Sequence, residues 1–246
     1  MAEPFPAAWA EIVGRYLPIA AHLPEADQAE LQKKIQGFLA EKRFEGLGGL
    51  ELTDEIRVTI AAQACLLLLH RDAGCYPKLR TVLVYPTAYS APTQTMSQDG
   101  VITEGNQTRL GEAWTLGTVV LAWDSVRGGA ADCKDGQNVV LHEFAHQIDM
   151  EDSAADGAPV LPRRSMYVAW ARVLGEEYET LQDSIRRRHR TVMDRYGATN
   201  PAEFFAVATE TFFEKPRQLK KKHPELYEQL REFYRQDPEE WAGRNC

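Results

Sequence analysis

The sequence predicts an α+β protein: a helical N-terminal region at residues 1–75, followed by a domain at residues 76–246 that combines a small sheet with helices. Within the first seventy residues, apolar side chains recur at helical spacing over most of the region. Runs rich in β-branched and aromatic residues follow between residues 79 and 123, and helical patterns then return. At 246 residues, the chain is long enough for one large domain or two smaller ones.

The amino-acid composition indicates a globular protein and argues against several other classes. Hydrophobic residues make up 44% of the chain and charged residues 26%, a balance typical of globular proteins. The net charge of −8 argues against direct binding of nucleic acid phosphates. None of the four cysteines forms a C-x-x-C pair, which argues against a zinc ribbon or a disulfide scaffold. The N-terminus does not resemble a signal peptide and no apolar run is long enough to span a bilayer, so we expect a cytoplasmic protein without membrane contacts.

Two helices are predicted in the N-terminal region. The first begins near Pro24 and continues through Phe38 and Leu39, and glycines at 46–49 interrupt the pattern. The second begins after Thr53 or Asp54, either of which can act as its N-cap, and extends through residue 68. Because this second helix is apolar on nearly every side, we expect it to be a buried core helix.

Two strands are predicted in the middle of the chain. The first covers residues 80–85 and stops before Pro86, and the second covers residues 118–123. A polar, turn-rich segment separates them. Three helical patterns follow in the C-terminal third, at 167–181, 201–213 and 224–234, and Asn200 or Thr199 can cap the middle one. The basic cluster at 186–190 is interpreted as a solvated helix face.

The motif H-E-x-x-H at residues 142–146 gives the strongest indication of function. On a helix, His142 and His146 project from the same face one turn apart, so both imidazoles can reach one metal ion. Glu143 lies beside them as a candidate general base. The motif follows the predicted strands, a glycine-containing turn and the apolar run 139–141, as expected for the active-site helix of a zincin. We therefore predict a zinc hydrolase with one zinc ion per chain.

Two histidines leave a catalytic zinc ion one protein ligand short. A C-terminal extension with glycine and a third histidine is absent, because the corresponding positions are Asp149 and Asp152. Three acids remain as candidates: Asp152, Glu203 and Glu210. Spacing ranks Glu203, in the first turn of an apolar helix, only slightly above Glu210 two turns further on. Asp149 is interpreted either as a hydrogen-bond partner of a zinc-binding histidine or as a surface acid.

Two blocks resemble a known family: His-Glu-Phe-Ala-His-Gln-Ile-Asp at 142–149 and Arg-Tyr-Gly-Ala-Thr-Asn-Pro-Ala-Glu-Phe-Phe-Ala at 195–206. They are similar to the bacterial Mlc titration factor A family of M90-type zinc peptidases and to the catalytic domain of anthrax lethal factor. The resemblance implies a zincin-like catalytic domain in which His142, His146 and Glu203 bind zinc. It also implies that Glu143 acts as the general base and that Tyr196 supports the transition state.

The resemblance further implies aminopeptidase-type cleavage of peptide or protein substrates and binding of an Mlc-like glucose repressor. We predict a zinc-dependent metallopeptidase, in which the strand at 118–123 forms a sheet edge that aligns an extended peptide. The alternative is a regulatory protein without catalytic activity that sequesters a repressor, with zinc serving structure or control.

Overall fold

The computed structural model describes residues 4–71, 74–96, 102–109, 111–114, 117–132 and 134–241. Three helices in the N-terminal region are α1 (Ala7–Tyr16), α2 (Glu25–Glu41) and α3 (Asp54–Leu66). Thr53 caps α3, since its side chain accepts a hydrogen bond from the Ile56 backbone N–H. Both predicted helices of this region are confirmed, and α3 is buried along nearly its whole length, as its sequence indicated.

Strands from distant parts of the chain form a four-stranded sheet. In chain order the strands of the protein are β1 (Arg43–Gly46), β2 (Thr81–Tyr85), β3 (Tyr89–Met96), β4 (Ile102–Arg109), β5 (Gly111–Trp114) and β6 (Thr118–Ala122). The sheet has the order β1-β2-β6-β5, in which β1, β2 and β6 are parallel and β5 is antiparallel to β6. β3 and β4 pair separately as an antiparallel hairpin. The α+β class is confirmed.

The structure corrects the prediction that the strand at 118–123 forms a sheet edge. β6 lies between β2 and β5, with hydrogen-bonded partners on both sides, so β5 is the edge strand next to it. The sequence predicted no strand at the position of β5. β1 also falls in a region predicted to be helical, and it joins the sheet by pairing with β2. The domain boundary at residue 75 stays a prediction.

Seven helices follow the sheet in the described part of the chain. They are α4 (Trp123–Ala131), α5 (Val139–Asp149), α6 (Met166–Arg186), α7 (Pro201–Glu214), α8 (Pro216–Lys222), α9 (Pro224–Tyr234) and α10 (Pro238–Trp241). α5 packs between α7 and the strands β5 and β6, and it also contacts α3. No helix of the described residues has the length and apolar character that crossing a membrane requires.

Aromatic side chains anchor α5 to the N-terminal region. The Phe144 ring lies 4.8 Å from that of Tyr76 and 5.7 Å from that of Phe38, measured between ring centroids. All three side chains are fully buried, at 1% exposure or less. Because these rings belong to α5, to the segment before β2 and to α2, the helix that carries the H-E-x-x-H motif is fixed by contacts on the side opposite α7.

Candidate metal centre

The sequence around residue 138 starts the helix that carries both histidines. The Asn138 side chain accepts hydrogen bonds from the backbone N–H groups of Val140 and Leu141, each 3.1 Å long, and so caps α5. The apolar residues of α5 are buried: Val140, Leu141, Phe144, Ala145 and Ile148. This burial fixes the rotation of the helix and leaves the two histidines directed at α7.

A second cap fixes the helix that carries the acid. Asn200 accepts a hydrogen bond from the Glu203 backbone N–H at 2.9 Å, and Pro201 occupies the first turn of α7. From Phe204 onward every residue of α7 is buried. Glu203 is therefore held in the first turn, where the helix N-terminus favours a negative charge.

The two helices bring His142, His146 and Glu203 together. Glu203 Oε2 lies 3.0 Å from His142 Nε2 and 3.3 Å from His146 Nε2, and the two Nε2 atoms are 3.2 Å apart. Tetrahedral zinc with ligand bonds of about 2.0–2.2 Å requires ligand atoms about 3.3–3.6 Å apart. The separations and the donor types therefore fit a zinc ion. They fit it better than Mg²⁺ or Ca²⁺, which prefer all-oxygen sites.

The pKa values of His142 and Glu203 show how strongly these side chains interact with their neighbours. Burial alone would lower the pKa of His142, but hydrogen bonds with Glu203 and Glu210 raise it to about 10. Burial would raise the pKa of Glu203, yet hydrogen bonds with both histidines hold it below its usual range. Without a metal, a proton shared with the carboxylate balances the negative charge. Metal binding at these residues has to displace that proton.

Glu210 contacts the other nitrogen of His142. Its Oε1 lies 2.7 Å from His142 Nδ1, and its Oε2 accepts a hydrogen bond from the Asn138 backbone N–H at 2.5 Å. In the neutral form of His142, a hydrogen bond from Nδ1–H to Glu210 leaves Nε2 with its lone pair directed at His146 and Glu203. Glu210, the main rival for the third ligand in the sequence, thus lies where it orients His142 rather than beside both Nε2 atoms.

Glu143 is buried beside the histidines. It is 5% exposed, and its Oε2 has no hydrogen-bond partner among the described residues. Burial, with the charges of Glu203 and Glu210, raises the pKa of Glu143 to about 8, although the charge of His142 opposes the shift. A carboxylate with raised proton affinity and an unpartnered oxygen is suited to accept a proton.

Tyr196 reaches the same centre from the solvent side. It lies in a 3-10 turn at Arg195–Ala198. The side chain of Asp194 caps the start of this turn by accepting a hydrogen bond from the Tyr196 backbone N–H at 2.8 Å. The phenol donates to Glu203 Oε1 at 3.3 Å, and the ring centroid lies 5.9 Å from that of His142. With 54% of its surface exposed, Tyr196 lies at the mouth of the site.

Neither of the acids that follow the motif joins the two histidines. Asp149 is fully buried and accepts a hydrogen bond from the Gly157 backbone N–H at 2.9 Å. Asp152 accepts one from the Ala154 backbone N–H, also at 2.9 Å. The structure therefore brings together the histidines and Glu203, and places Asp149 in the packing of the following loop.

The described residues contain a second group of possible metal ligands: Asp27, Glu30 and His70. His70 Nε2 lies 3.3 Å from Asp27 and its Nδ1 lies 3.7 Å from Glu30. The ammonium group of Lys34 is already 3.3 Å from the Glu30 carboxylate. Because the Lys34 ammonium group already pairs with the Glu30 carboxylate, this group is less suited to a metal ion than His142, His146 and Glu203, which form the candidate metal centre.

Asn138, which the sequence did not single out, helps to build the centre. Asn138 joins α5 to Glu210 by its backbone N–H while it caps the helix with its side chain. Its position directly before an apolar helical run was the available signal.

The fold is of the α+β class, and the grouped histidine and carboxylate side chains form a candidate metal centre. Comparison with known proteins makes the assignment specific, because the family model described as glucose-regulated metallo-peptidase M90 matches residues 1–235. The chain belongs to this family.

Named relatives agree with the family. The chain is 45% identical over 238 residues to an uncharacterised protein of Synechocystis sp., covering 96% of this chain and 86% of the relative. It is 34% identical over 227 residues to Mlc titration factor A of Serratia proteamaculans, with 90% and 85% of the two chains covered. Identity to Mlc titration factor A of Klebsiella pneumoniae is 32% over 225 residues, covering 90% and 84%.

Proposed function

We propose that this protein is a zinc-dependent metallopeptidase whose metal is held by His142, His146 and Glu203. The observation that carries the proposal is the convergence of three ligand atoms of suitable type from α5 and α7, with separations of 3.0, 3.2 and 3.3 Å. Glu143 gives the site a group that a purely structural zinc site does not need. Membership of a metallo-peptidase family supports the same reading.

The residues around the centre have distinct tasks in peptide hydrolysis. Zinc, when bound, would supply Lewis acidity that polarises a carbonyl and lowers the pKa of a water molecule. Glu143 accepts the proton of the attacking water and delivers it to the leaving amine. Tyr196 donates a hydrogen bond to the oxyanion that develops on the peptide carbonyl, because its hydroxyl lies at the open side of the centre. Glu210 keeps His142 Nε2 directed at the ligand position.

The substrate is a peptide or protein chain that pairs with β5. Among the described strands, β5 is the edge of the sheet beside β6, and α5 packs against it. An extended peptide that adds to β5 would form backbone hydrogen bonds near the helix that carries Glu143. Aminopeptidase-type cleavage is part of the proposal and rests on the family resemblance.

A regulatory partner is the second part of the proposed function. Relatives that cover most of this chain are named Mlc titration factor A, and this name supports binding of an Mlc-like glucose repressor. A function limited to sequestering such a repressor is the competing proposal. The two differ in whether Glu143 is required, since proton transfer has no role in capture of a partner.

The deciding experiment is Glu143→Gln in the zinc-loaded protein. Glutamine has nearly the same shape but cannot accept the proton, so hydrolysis of a peptide library should be lost while zinc content is retained. Glu179→Gln on the exposed face of α6 is the matched control and should cleave at the wild-type rate. Cleavage by Glu143→Gln at the wild-type rate would show that Glu143 is not the base. Zinc binding without cleavage by the wild-type protein would favour the sequestering function.

A further inference from the structure

The backbone of Gly157 contacts both helices that carry the proposed ligands. Gly157 lies in the loop between α5 and α6, and its backbone N–H donates to Asp149 Oδ2, in the last residue of α5, at 2.9 Å. Its carbonyl accepts a hydrogen bond from Trp170 Nε1 of α6 at 3.1 Å. Both hydrogen bonds are buried, so they hold the loop firmly against α5 and α6.

The third contact of Gly157 is with the start of α7. A Cβ atom at residue 157 would lie 2.4 Å from the carbonyl oxygen of Pro201 and 2.8 Å from its carbonyl carbon. Gly157 also has φ +77°, which residues with a side chain rarely adopt. Only glycine allows the loop to approach the first turn of α7 this closely, and Glu203 lies in that same turn.

These contacts form a continuous path between the ligands. His146 lies one helical turn before Asp149, Asp149 binds Gly157, Gly157 packs on Pro201, and Glu203 follows two residues later. At the other end of α5, Glu210 of α7 binds both His142 and the Asn138 backbone. α5 and α7 are therefore held together at both ends of the ligand group, and the junction at Gly157 sets the spacing at the Glu203 end.

Asp149 is a buried carboxylate whose presence is not explained by packing alone. It is fully buried, and its Oδ1 has no hydrogen-bond partner among the described residues. A buried carboxylate with an unsatisfied oxygen is unfavourable, and an apolar side chain would remove that penalty. The structure nonetheless uses it to bind the backbone N–H of Gly157, the loop residue that packs on Pro201 of α7.

We propose that Asp149 and Gly157 are positioning residues of the metal centre, which set the distance between the histidines of α5 and Glu203 of α7. The inference rests on the proposed zinc site. Loss of this junction lets the first turn of α7 move away from α5, so Glu203 meets the metal with poorer geometry. The predicted consequence is weaker zinc binding by a protein that is still folded.

The test measures zinc affinity of the full chain by competition with a chromophoric chelator. Gly157→Ala should lower zinc affinity about 10–100-fold, the usual effect of losing support around a metal ligand. Gly175→Ala is the matched control, because a Cβ at that position of α6 meets no atom within 4 Å. It should bind zinc as the wild type does.

Substitutions of Asp149 separate positioning from general stability. Asp149→Asn keeps a carbonyl oxygen for the Gly157 N–H and should retain most of the zinc affinity, whereas Asp149→Leu should lose affinity as Gly157→Ala does. Thermal unfolding of each metal-free protein is measured in parallel. If Asp149→Leu does not fold, Trp170→Phe removes the hydrogen bond to the Gly157 carbonyl from the other side and should weaken zinc binding in part.

The outcomes distinguish this inference from the proposed function. Folded Gly157→Ala and Asp149→Leu proteins that bind zinc with wild-type affinity would overturn the positioning role while the zinc site stands. Equal loss of metal-free stability with unchanged zinc affinity would also overturn it, because the junction would then be only structural. A wild-type protein that binds no zinc would refute the proposed centre itself.

Discussion

Replacement of Glu210 by glutamine tests whether this acid supports a ligand or is one. The carboxylate serves two donors with two separate oxygens: the part-buried His142 Nδ1 at 2.7 Å and the buried Asn138 backbone N–H at 2.5 Å. Glutamine has one carbonyl oxygen and one amide group, so it can accept from only one of these donors. One donor is left unsatisfied, which costs about 1–3 kcal/mol, and the negative charge that stabilises the imidazole is lost.

We expect Glu210→Gln to bind zinc about 10–100-fold more weakly than wild type, which corresponds to about 1.4–2.7 kcal/mol. Glu203→Gln should lose more zinc affinity than Glu210→Gln, because it changes a proposed direct ligand. Zinc affinity is measured by chelator competition on the full chain, and circular dichroism verifies that each variant is folded.

The protein contains a matched control for this experiment. Glu177 binds His223 Nδ1 at 2.7 Å, the same distance as in the Glu210–His142 pair, but outside the group formed by His142, His146 and Glu203. Glu177→Gln should leave zinc affinity unchanged. If Glu210→Gln loses as much zinc as Glu203→Gln or more, Glu210 is itself a ligand and the division of roles argued from the two imidazole nitrogens is wrong.

Two further predictions concern catalysis and pH. Tyr196→Phe removes the hydroxyl 3.3 Å from Glu203 Oε1 and should lower kcat of peptide hydrolysis about 10²–10³-fold while zinc content is retained; an unchanged kcat would remove Tyr196 from the mechanism. Burial raises the pKa of Glu214 to about 8, although a hydrogen bond with Asn138 opposes the shift. Between about pH 4.5 and 8, Glu214 is therefore protonated in the folded protein but ionised in the unfolded chain. The stability contributed by the protonated acid is full at low pH and is lost as the pH rises through this window. Glu214→Gln should therefore unfold at a higher temperature than wild type at pH 9, with a smaller difference at pH 5, both measured on metal-free protein; a difference independent of pH would contradict the protonated state.

The sequence was informative wherever the deciding contacts are local. Helix caps such as Thr53 and Asn200 act within three residues, and the structure has the predicted hydrogen bonds at both. The projection of His142 and His146 from one face follows from a spacing of four residues on a helix. The pairing of strands was harder to predict from the sequence. β5 pairs with β6 at an edge of the sheet formed by the described strands, although the sequence predicted no strand there, because sheet order depends on which distant segments meet.

The choice among acids could not be made from spacing. Glu203 and Glu210 lie seven residues apart, about 10 Å along the same face of α7, so periodicity treats them alike. Resemblance favoured Glu203, and the structure adds a physical reason. α7 crosses α5 so that Glu203 meets the Nε2 atoms of both histidines, while Glu210 meets only Nδ1 of His142.

By itself, the sequence determined the class of fold, the helix with the H-E-x-x-H motif and the chemistry that its residues can perform, since these depend on residue type and on neighbours within one or two turns. Only the tertiary structure decided which acid lies beside both histidines of the motif. Sixty-one residues separate Glu203 from His142, and their meeting depends on the packing of α7 against α5. That packing includes the contact at Gly157, where the absence of one side chain allows two backbone segments to touch.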